Sequence, residues 1–461
     1  MAGFLDATGR PGPATWEAGD YPDGKDDYPV TGVSWYEAAA FAAYKEKDLP
    51  TIYHWSVANG IVYPFPYPPL PTYLIIPLSN FGEKGPAPVG TYSGMSISGA
   101  YDIAGNVREW CYNESQQGRC IRGGAWNDAS YMASRITQAS PFDRAPQNGF
   151  RCVKYIEPDS IPQNAFQPYI SSRLNDDYRK VKPVSDEIFQ VYKEAFSYDK
   201  EPLNAKIEEI NETSEDWIKE KISINAAYNN ERIIAYLYLP KNIAKPYQTV
   251  IIFPHSGATR GRSSKNLENK EGFDFFIKDG RAVMYPIYKG TYERGGPEYW
   301  HLHGQVSTRK YFDLVTKLVL DFRKCIDYLE TRQDIDIDKI AYYSFSWGGE
   351  LISIIAAVEE RLKLSLLNTG GMRGFDAGGK IYPMADPINY VTRVKIPTLM
   401  LNGEYDIIYQ YDKVVKPMYD LLGTPEKDKL LITYPTDHFV PREDLIRETL
   451  KWLDRYFEPV K

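Results

Sequence analysis

Ser346 stands in the run Ser344-Phe345-Ser346-Trp347-Gly348-Gly349, behind the apolar segment Ile340 to Tyr343 and ahead of Glu350-Leu351-Ile352. A serine at a strand-to-helix turn has its hydroxyl lifted clear of the backbone, with the positive end of the helix dipole beneath it. That placement suits a nucleophile on which negative charge develops. Small residues two positions to either side let such a turn close, and here the pattern is G-x-S-x-G with Ser344 in place of the first glycine. A serine hydroxyl attacks only when a base takes its proton and an acid orients the base. The candidates are His54, His255, His301, His303 and His438. Only His438, in Thr436-Asp437-His438-Phe439, follows a late apolar run and precedes a terminal amphipathic segment. Asp406, in Asn402-Gly403-Glu404-Tyr405-Asp406, lies just past another such run, with Glu404 and Asp412 as alternative orienters. Ser346, Asp406 and His438 would thus serve acyl transfer as nucleophile, acid and base. The developing oxyanion needs backbone donors, expected from Trp347 and from either Ser256 or Gly257 in the turn Phe253-Pro254-His255-Ser256-Gly257-Ala258. His255 itself is read as a structural turn residue.

These residues must be carried by a sheet. Ile222, Ile224 and Ala226 alternate with polar residues, Asn229-Asn230 supplies a turn, and Ile233 to Leu239 returns, which predicts an antiparallel hairpin. Buried strands are predicted at Thr249 to Phe253, Ala282 to Tyr285, Ile340 to Tyr343, Leu364 to Leu367, Thr398 to Leu401 and Leu430 to Thr433. Helix-like segments Tyr311 to Leu329, Gly348 to Glu359 and Arg442 to Tyr456 separate or follow them. The alternation predicts an α/β architecture, a doubly wound and mostly parallel sheet covered on both faces. Residues from about 200 onward resemble α/β-hydrolases of the dienelactone-hydrolase, acetyl-esterase and prolyl-oligopeptidase-like group. The resemblance implies ester hydrolysis through an acyl-enzyme, with no cofactor required. The aromatic, glycine-rich segment Tyr285 to His303 is a candidate to line or cover the pocket, whereas Arg260, Arg262 and Arg294 are expected to contact water.

The first 155 residues read differently, with tryptophans and turn signals crowded together. Pro29-Val30-Thr31-Gly32-Val33-Ser34-Trp35-Tyr36-Glu37-Ala38 contains a capping box, Ser34 to Glu37, that opens a helix burying Trp35, Ala38, Phe41 and Ala42. Leu49-Pro50-Thr51 and His54-Trp55 follow, then Tyr101-Asp102-Ile103-Ala104-Gly105-Asn106-Val107-Arg108-Glu109-Trp110, Arg122-Gly123-Gly124-Ala125-Trp126 and Gly149-Phe150-Arg151-Cys152. Taken in order, these motifs resemble the formylglycine-generating-enzyme, or sulfatase-modifying-factor, domain, a loop-rich α+β relative of the C-type lectin fold. Oxidase members of that family hold copper with two cysteines shortly after the R-G-G-x-W motif. Residues Asn127 to Ser134 contain none, so a non-catalytic, binding or structural domain is expected. Asn106 and Glu109 match positions that help bind a structural calcium ion in relatives, which makes them candidate ligands. Cys111 and Cys120 flank a short polar stretch, and buried free thiols are expected there rather than a disulfide.

Composition bounds the rest. With 461 residues, 43% hydrophobic and 25% charged, the chain has room for two domains. The divisions expected are 1–156, a connector over 157–200, and a hydrolase over 201–461. The net charge of −7 argues against nucleic-acid binding, and the lack of a long apolar run against a membrane span. Residues Met1 to Pro13 show no secretory signal, which points to the cytoplasm, although the 28 residues before the Pro-Val-x-x-Val-Ser-Trp motif are few for the formylglycine-generating-enzyme family and fit a fragment of a longer polypeptide. The function expected is a serine carboxylesterase acting on small acyl or aryl esters, of feruloyl or acetyl type and including carbohydrate-linked ones. A prolyl-oligopeptidase-like peptidase and a non-catalytic scaffold are the alternatives. The Pro/Tyr run Tyr63 to Tyr73 is a candidate contact surface beside the pocket.

Overall fold

The computed structural model describes residues 12–17, 19–60, 75–115, 118–169, 177–259, 261–265, 267, 272–300, 302, 305–373, 381–406 and 408–460. The run Tyr63 to Tyr73, Arg260, His301 and His303 therefore lie outside the described residues. The chain divides into two compact units. The first is Met1–Ser171 with Gly403–Gln410 and Pro435–His438; the second is Ser172–Asn402, Tyr411–Tyr434 and Phe439–Lys461.

The first unit is built around two short helices and a small sheet. Helix α1 (Trp35–Tyr44) starts where its sequence says it should: the Ser34 hydroxyl accepts the Glu37 N–H and the Glu37 carboxylate accepts the Ser34 N–H at 2.7 Å. Two of the orphan donors at the helix start are thereby satisfied. Its buried Ala38 and Ala42 pack with Val33, Leu49, Trp110 and Ile121. Helix α2 (Ile52–Asn59), capped by Thr51, buries Trp55 completely. The sheet has the order β3-β2-β1-β4, with β1 (Arg108–Ser115), β2 (Gly118–Arg122) and β3 (Thr137–Ala139) antiparallel and the two-residue β4 (Asn148–Gly149) parallel to β1. Cys111 and Cys120 are free and buried on β1 and β2. Burial pushes the Cys120 thiol up to about 12 and the Cys111 thiol well above its ordinary range.

The second unit holds a nine-stranded sheet of order β13-β12-β11-β10-β8-β9-β7-β6-β5. Its parallel block is β8 (Tyr247–Phe253), β9 (Ala282–Ile287), β10 (Ile335–Phe345), β11 (Leu364–Asn368) and β12 (Thr398–Gly403), with β13 (Lys429–Tyr434) beside β12. Strands β8, β9 and β11 are buried at every position, which is why they read as continuous apolar runs. The hairpin predicted from Ile222 to Leu239 is β6 (Trp217–Asn225) and β7 (Arg232–Pro240), and Asn229 and Asn230 both turn with positive φ, 53° and 52°. A further edge strand, β5 (Lys206–Asn211), pairs antiparallel with β6. Sequence patterning missed it because all six residues are exposed, leaving no apolar face to give alternation.

Helix α3 (Asp186–Glu194) lies within the connector range 157–200; α4 (Asp274–Lys278), α5 (Arg309–Glu330), α6 (Trp347–Val358) and α7 (Arg442–Phe457) cover the sheet. Leu445, Trp452, Leu453 and Phe457 of α7 pack in one apolar cluster with Tyr343, Leu366 and Leu401 of the central strands. Among the described residues no helix is long and apolar enough to cross a membrane.

Candidate active site

Strand β10 ends at Phe345 and α6 begins at Trp347, which leaves Ser346 alone in the turn with φ 59° and ψ −108°. A residue with a Cβ adopts such a backbone only at a cost of about 1–3 kcal/mol, so its surroundings must hold it there. They do so with hydrogen bonds. The Ser346 N–H faces the Asn368 and Thr369 carbonyls at 3.1 and 2.8 Å, and its own carbonyl accepts the Gly349 N–H at 2.8 Å. Glycine is required behind it: a Cβ on Gly348 would lie 2.6 Å from Ser344 Cβ, and one on Gly349 would lie 2.6 Å from Gly370 Cα. The missing side chain at Gly348 is what makes room for Ser344 where the motif has a glycine. The Ser346 side chain sits at the N-terminus of a 12-residue helix, where the dipole favours negative charge.

Asp406 and His438 are brought together in the first unit. Asp406 is 2% exposed; its Oδ1 accepts the N–H groups of Ile408 and Tyr409 at 2.7 and 3.1 Å, and its Oδ2 meets His438 Nδ1 at 2.8 Å. The amides fix the carboxylate, and the carboxylate fixes the imidazole through Nδ1. The Tyr409 ring stacks on the imidazole at 5.9 Å and 12° between planes. Of the alternative orienters, Glu404 accepts instead from Ser130 Oγ at 3.1 Å. Tyr405, between the two acids in sequence, is buried with Ile75, Ile76, Ala104 and Ala133, and its N–H donates to the Thr436 carbonyl at 2.9 Å, tying the acid loop to the histidine loop. Tyr405 and Tyr409 were not singled out in the sequence, and no spacing rule would have found them; their proximity to Asp406 was the only signal.

The turn after β8 forms a 3₁₀ segment over Ser256–Thr259. The Gly257 N–H donates to His255 Nδ1 at 3.0 Å, so His255 does act on its own turn, and the amide of Gly257 is engaged. Trp347 is buried, its indole edge-on to Phe253 at 5.3 Å. At the C-terminal ends of β8, β10 and β11 lies a cavity of about 210 Å³, lined by His255, Phe273, Tyr285, Phe345, Phe439 and Arg442 among others. Phe345 and Phe439, the neighbours of Ser346 and His438 in sequence, stack at 5.7 Å. Among the described residues of the segment Tyr285 to His303, Tyr285 reaches this cavity.

Two expectations need correction. Arg294 does not contact water: it is buried, pairs with the fully buried Asp321, and donates to Tyr228 Oη at 2.7 Å and the Ile287 carbonyl at 2.9 Å. Arg262 is exposed, as expected. Asn106 and Glu109 do not fit a calcium site. Both Glu109 oxygens are taken by Arg151 at 2.6 Å, and Oε2 also accepts the Trp55 indole N–H at 2.7 Å. Asn106 Oδ1 accepts from Ala87 N–H and Asn80 Nδ2, while its Nδ2 donates to the Ala87 carbonyl. A cation there would sit against the Arg151 guanidinium and lack the oxygen shell calcium needs. Among the described residues no cluster of three or more His, Cys, Asp or Glu is placed to hold a metal ion. Sequence reasoning also missed a buried ion pair in the second unit, Glu350 in the first turn of α6 with Arg373, to which Tyr311 Oη adds a contact.

Comparison with known proteins finds two families along the chain. Residues 6–156 match the sulfatase-modifying factor enzyme 1-like domain, and residues 233–444 match the dienelactone hydrolase family. An inactive C-alpha-formylglycine-generating enzyme 2 from Bos taurus is 32% identical over 151 residues, covering 28% of this chain. The chain spans about half the length of that relative, 50%. Among solved structures, acetyl xylan esterase 1 from Thermoanaerobacterium sp. JW/SL YS485 aligns over 64% of this chain and 99% of its own with 16% identity and a TM-score of 0.49. An acetyl xylan esterase from Paenibacillus sp. R4 covers 64% of this chain and 100% of its own with 17% identity and a TM-score of 0.46. The chain therefore joins a sulfatase-modifying factor enzyme 1-like domain at its N-terminal end to a dienelactone hydrolase family domain, an α/β-hydrolase, in its C-terminal half.

Proposed function

We propose that this chain is a serine carboxylesterase in which Ser346 is the nucleophile, His438 the base and Asp406 its orienter. The observation that carries the reading is the strained Ser346 turn between β10 and α6, a conformation that a serine with no chemical task has no reason to keep. The anchored Asp406–His438 pair supports the other two roles. Asp406 and His438 follow the ends of β12 and β13 along the chain, as Ser346 follows β10, which supports the order nucleophile, acid, base.

In this mechanism the Ser346 Oγ proton passes to His438 Nε2 as Oγ bonds to the ester carbonyl carbon, and the carbonyl electron pair moves onto oxygen. That oxyanion is met by the backbone N–H of Trp347 and of Ser256, the donor preferred because Gly257 already donates to His255. Collapse expels the alcohol, which takes the proton from His438; water, activated by the same imidazole, then releases the acid and restores Ser346. The residues need no metal or organic cofactor for these steps.

The 210 Å³ cavity is lined by Phe345, the residue before Ser346, and not by Ser346 itself; being larger than the roughly 150 Å³ that holds a benzene ring, it suits small acyl or single-ring aryl groups, the size of acetyl and feruloyl esters, including carbohydrate-linked ones. Hydrolysis of p-nitrophenyl acetate by the wild type and by Ser346→Ala tests the reading, and the expected loss is about 10⁴-fold or more. Turnover that survives in Ser346→Ala would overturn it. Faster cleavage of a peptide anilide than of the ester would replace the esterase with a peptidase.

A further inference from the structure

One cavity of the first unit is lined by none of Ser346, Asp406 and His438. It measures about 690 Å³ and lies among the turns that precede α1, the segment Lys84 to Pro86, and Trp126. That volume falls within the range of small-molecule sites and exceeds what one small acyl group would fill.

Its lining is aromatic. Trp16, Tyr21, Tyr28 and Trp126 all contribute. Trp126 is buried, whereas Tyr21 is 44% exposed and meets Trp16 edge-on at 5.9 Å. A Cβ on Gly12 would fall 3.0 Å from Trp16 Cε3, so the absence of a side chain there lets the indole rest against the backbone. Hydrogen bonds hold the walls in place before any ligand arrives. Glu17 and Asp20 exchange backbone bonds at 2.8 and 3.0 Å, Thr15 Oγ1 donates to the Thr31 carbonyl at 2.7 Å, the Val89 N–H donates to the Asp27 carbonyl at 2.8 Å, and the Glu83 N–H to the Trp126 carbonyl at 2.9 Å. A site ordered in advance loses little entropy on binding.

The polar groups on the same lining define the ligand. Asp20 and Asp26 accept hydrogen bonds, Lys25 and Lys84 donate them, and the two charges of each sign cancel. A phosphate or nucleotide would require a cationic excess, which is missing. A quaternary ammonium ligand would require the open ring faces of a cage, and the Lys25 ammonium already lies 3.5 Å from the Tyr28 ring centroid. What remains is a neutral molecule with an apolar face and many hydroxyls. A pyranose has both: its axial C–H groups carry slight positive charge toward the negative face of an aromatic ring, and its hydroxyls both donate and accept.

We propose that this aromatic cavity in the first unit is a binding site for a neutral oligosaccharide, with Trp16 and Tyr21 as stacking platforms and Asp20, Asp26, Lys25 and Lys84 as hydroxyl partners. The site is separate from the hydrolase chemistry and stands whether or not Ser346 is a nucleophile.

Isothermal titration of the full chain with xylotetraose, cellotetraose and maltotetraose, neutral tetrasaccharides of different shape, tests it. At least one should bind, and Trp16→Ala and Tyr21→Ala should each weaken binding by about tenfold, the scale of one lost aromatic contact. Hydrolysis of p-nitrophenyl acetate should be unchanged in both variants. Because Tyr21 is 44% exposed, Tyr21→Ala is expected to melt close to the wild type and so separates loss of contact from loss of fold. If no tetrasaccharide binds at millimolar concentration, or if binding is equally strong in a folded Tyr21→Ala, the proposal is wrong. Binding of a proline-rich decapeptide in the absence of sugar binding would overturn it in favour of a peptide site.

Discussion

Two buried carboxylates, Glu109 in the sulfatase-modifying-factor-like sequence and Asp406 after β12, look alike by exposure, 3% and 2%. Each accepts three hydrogen bonds, and their partners differ. Glu109 is closed around a guanidinium that is charged at every working pH, with an indole N–H alongside. Asp406 takes two backbone amides that cannot change charge and one imidazole that can. The first arrangement is a closed ion pair; the second joins an acid to a histidine, the pairing that the proposed mechanism uses. A buried acid is therefore read by the partners it accepts from, not by its own depth.

The comparison can be broken from its strong side first. Asp406→Asn keeps the shape but removes the charge that steadies the imidazolium, and kcat for p-nitrophenyl acetate is expected to fall by about 10⁴ with the fold intact. Glu109→Gln should do the opposite. It leaves Arg151 without its counter-charge, at a cost of about 2–3 kcal/mol because Arg151 remains 28% exposed, and lowers the denaturant midpoint while kcat per folded molecule stays the same. If Glu109→Gln abolished turnover in a folded protein, the distinction between the two acids would fail.

Gly403→Ala is the next test. A Cβ there would lie against the Asp437 carbonyl, so one of the two loops must shift, and a displacement of about 1 Å at the imidazole costs about 10² in kcat. Last comes an expected null effect. With its thiol pushed up to about 12 by burial, Cys120 stays protonated at pH 8, and Cys111 does likewise, so native protein treated with iodoacetamide should show both unmodified by peptide mass spectrometry and retain its activity. Alkylation of all four cysteines should need denaturant.

The sequence was most legible where a local rule governs the outcome. The capping box at Ser34 and Glu37, the asparagine turn at 229–230, and the strand–serine–helix junction at Ser346 each depend on residues a few positions apart. Strands β8, β9 and β11 were visible because burial on both faces leaves only apolar side chains. Where the deciding partner is distant, the sequence was silent. Arg151 lies 42 residues from Glu109, and that pairing, not calcium, sets the acid's role. Arg294 finds Asp321 27 residues away, and Glu350 finds Arg373 23 away. Strand β5 was invisible for another reason, since an exposed edge needs no hydrophobic period at all.

Gly403 illustrates a hazard for anyone mapping this enzyme by mutation. It bears no functional group and closes a strand, yet the Asp437 carbonyl occupies the space where its side chain would begin, one residue before the histidine. A random-mutagenesis screen scored by hydrolysis alone would flag Gly403 beside the proposed catalytic residues, though with a smaller loss. Conservation across descendants of this chain would do the same, and both signals would report the spacing between two stretches of backbone, not a reacting atom.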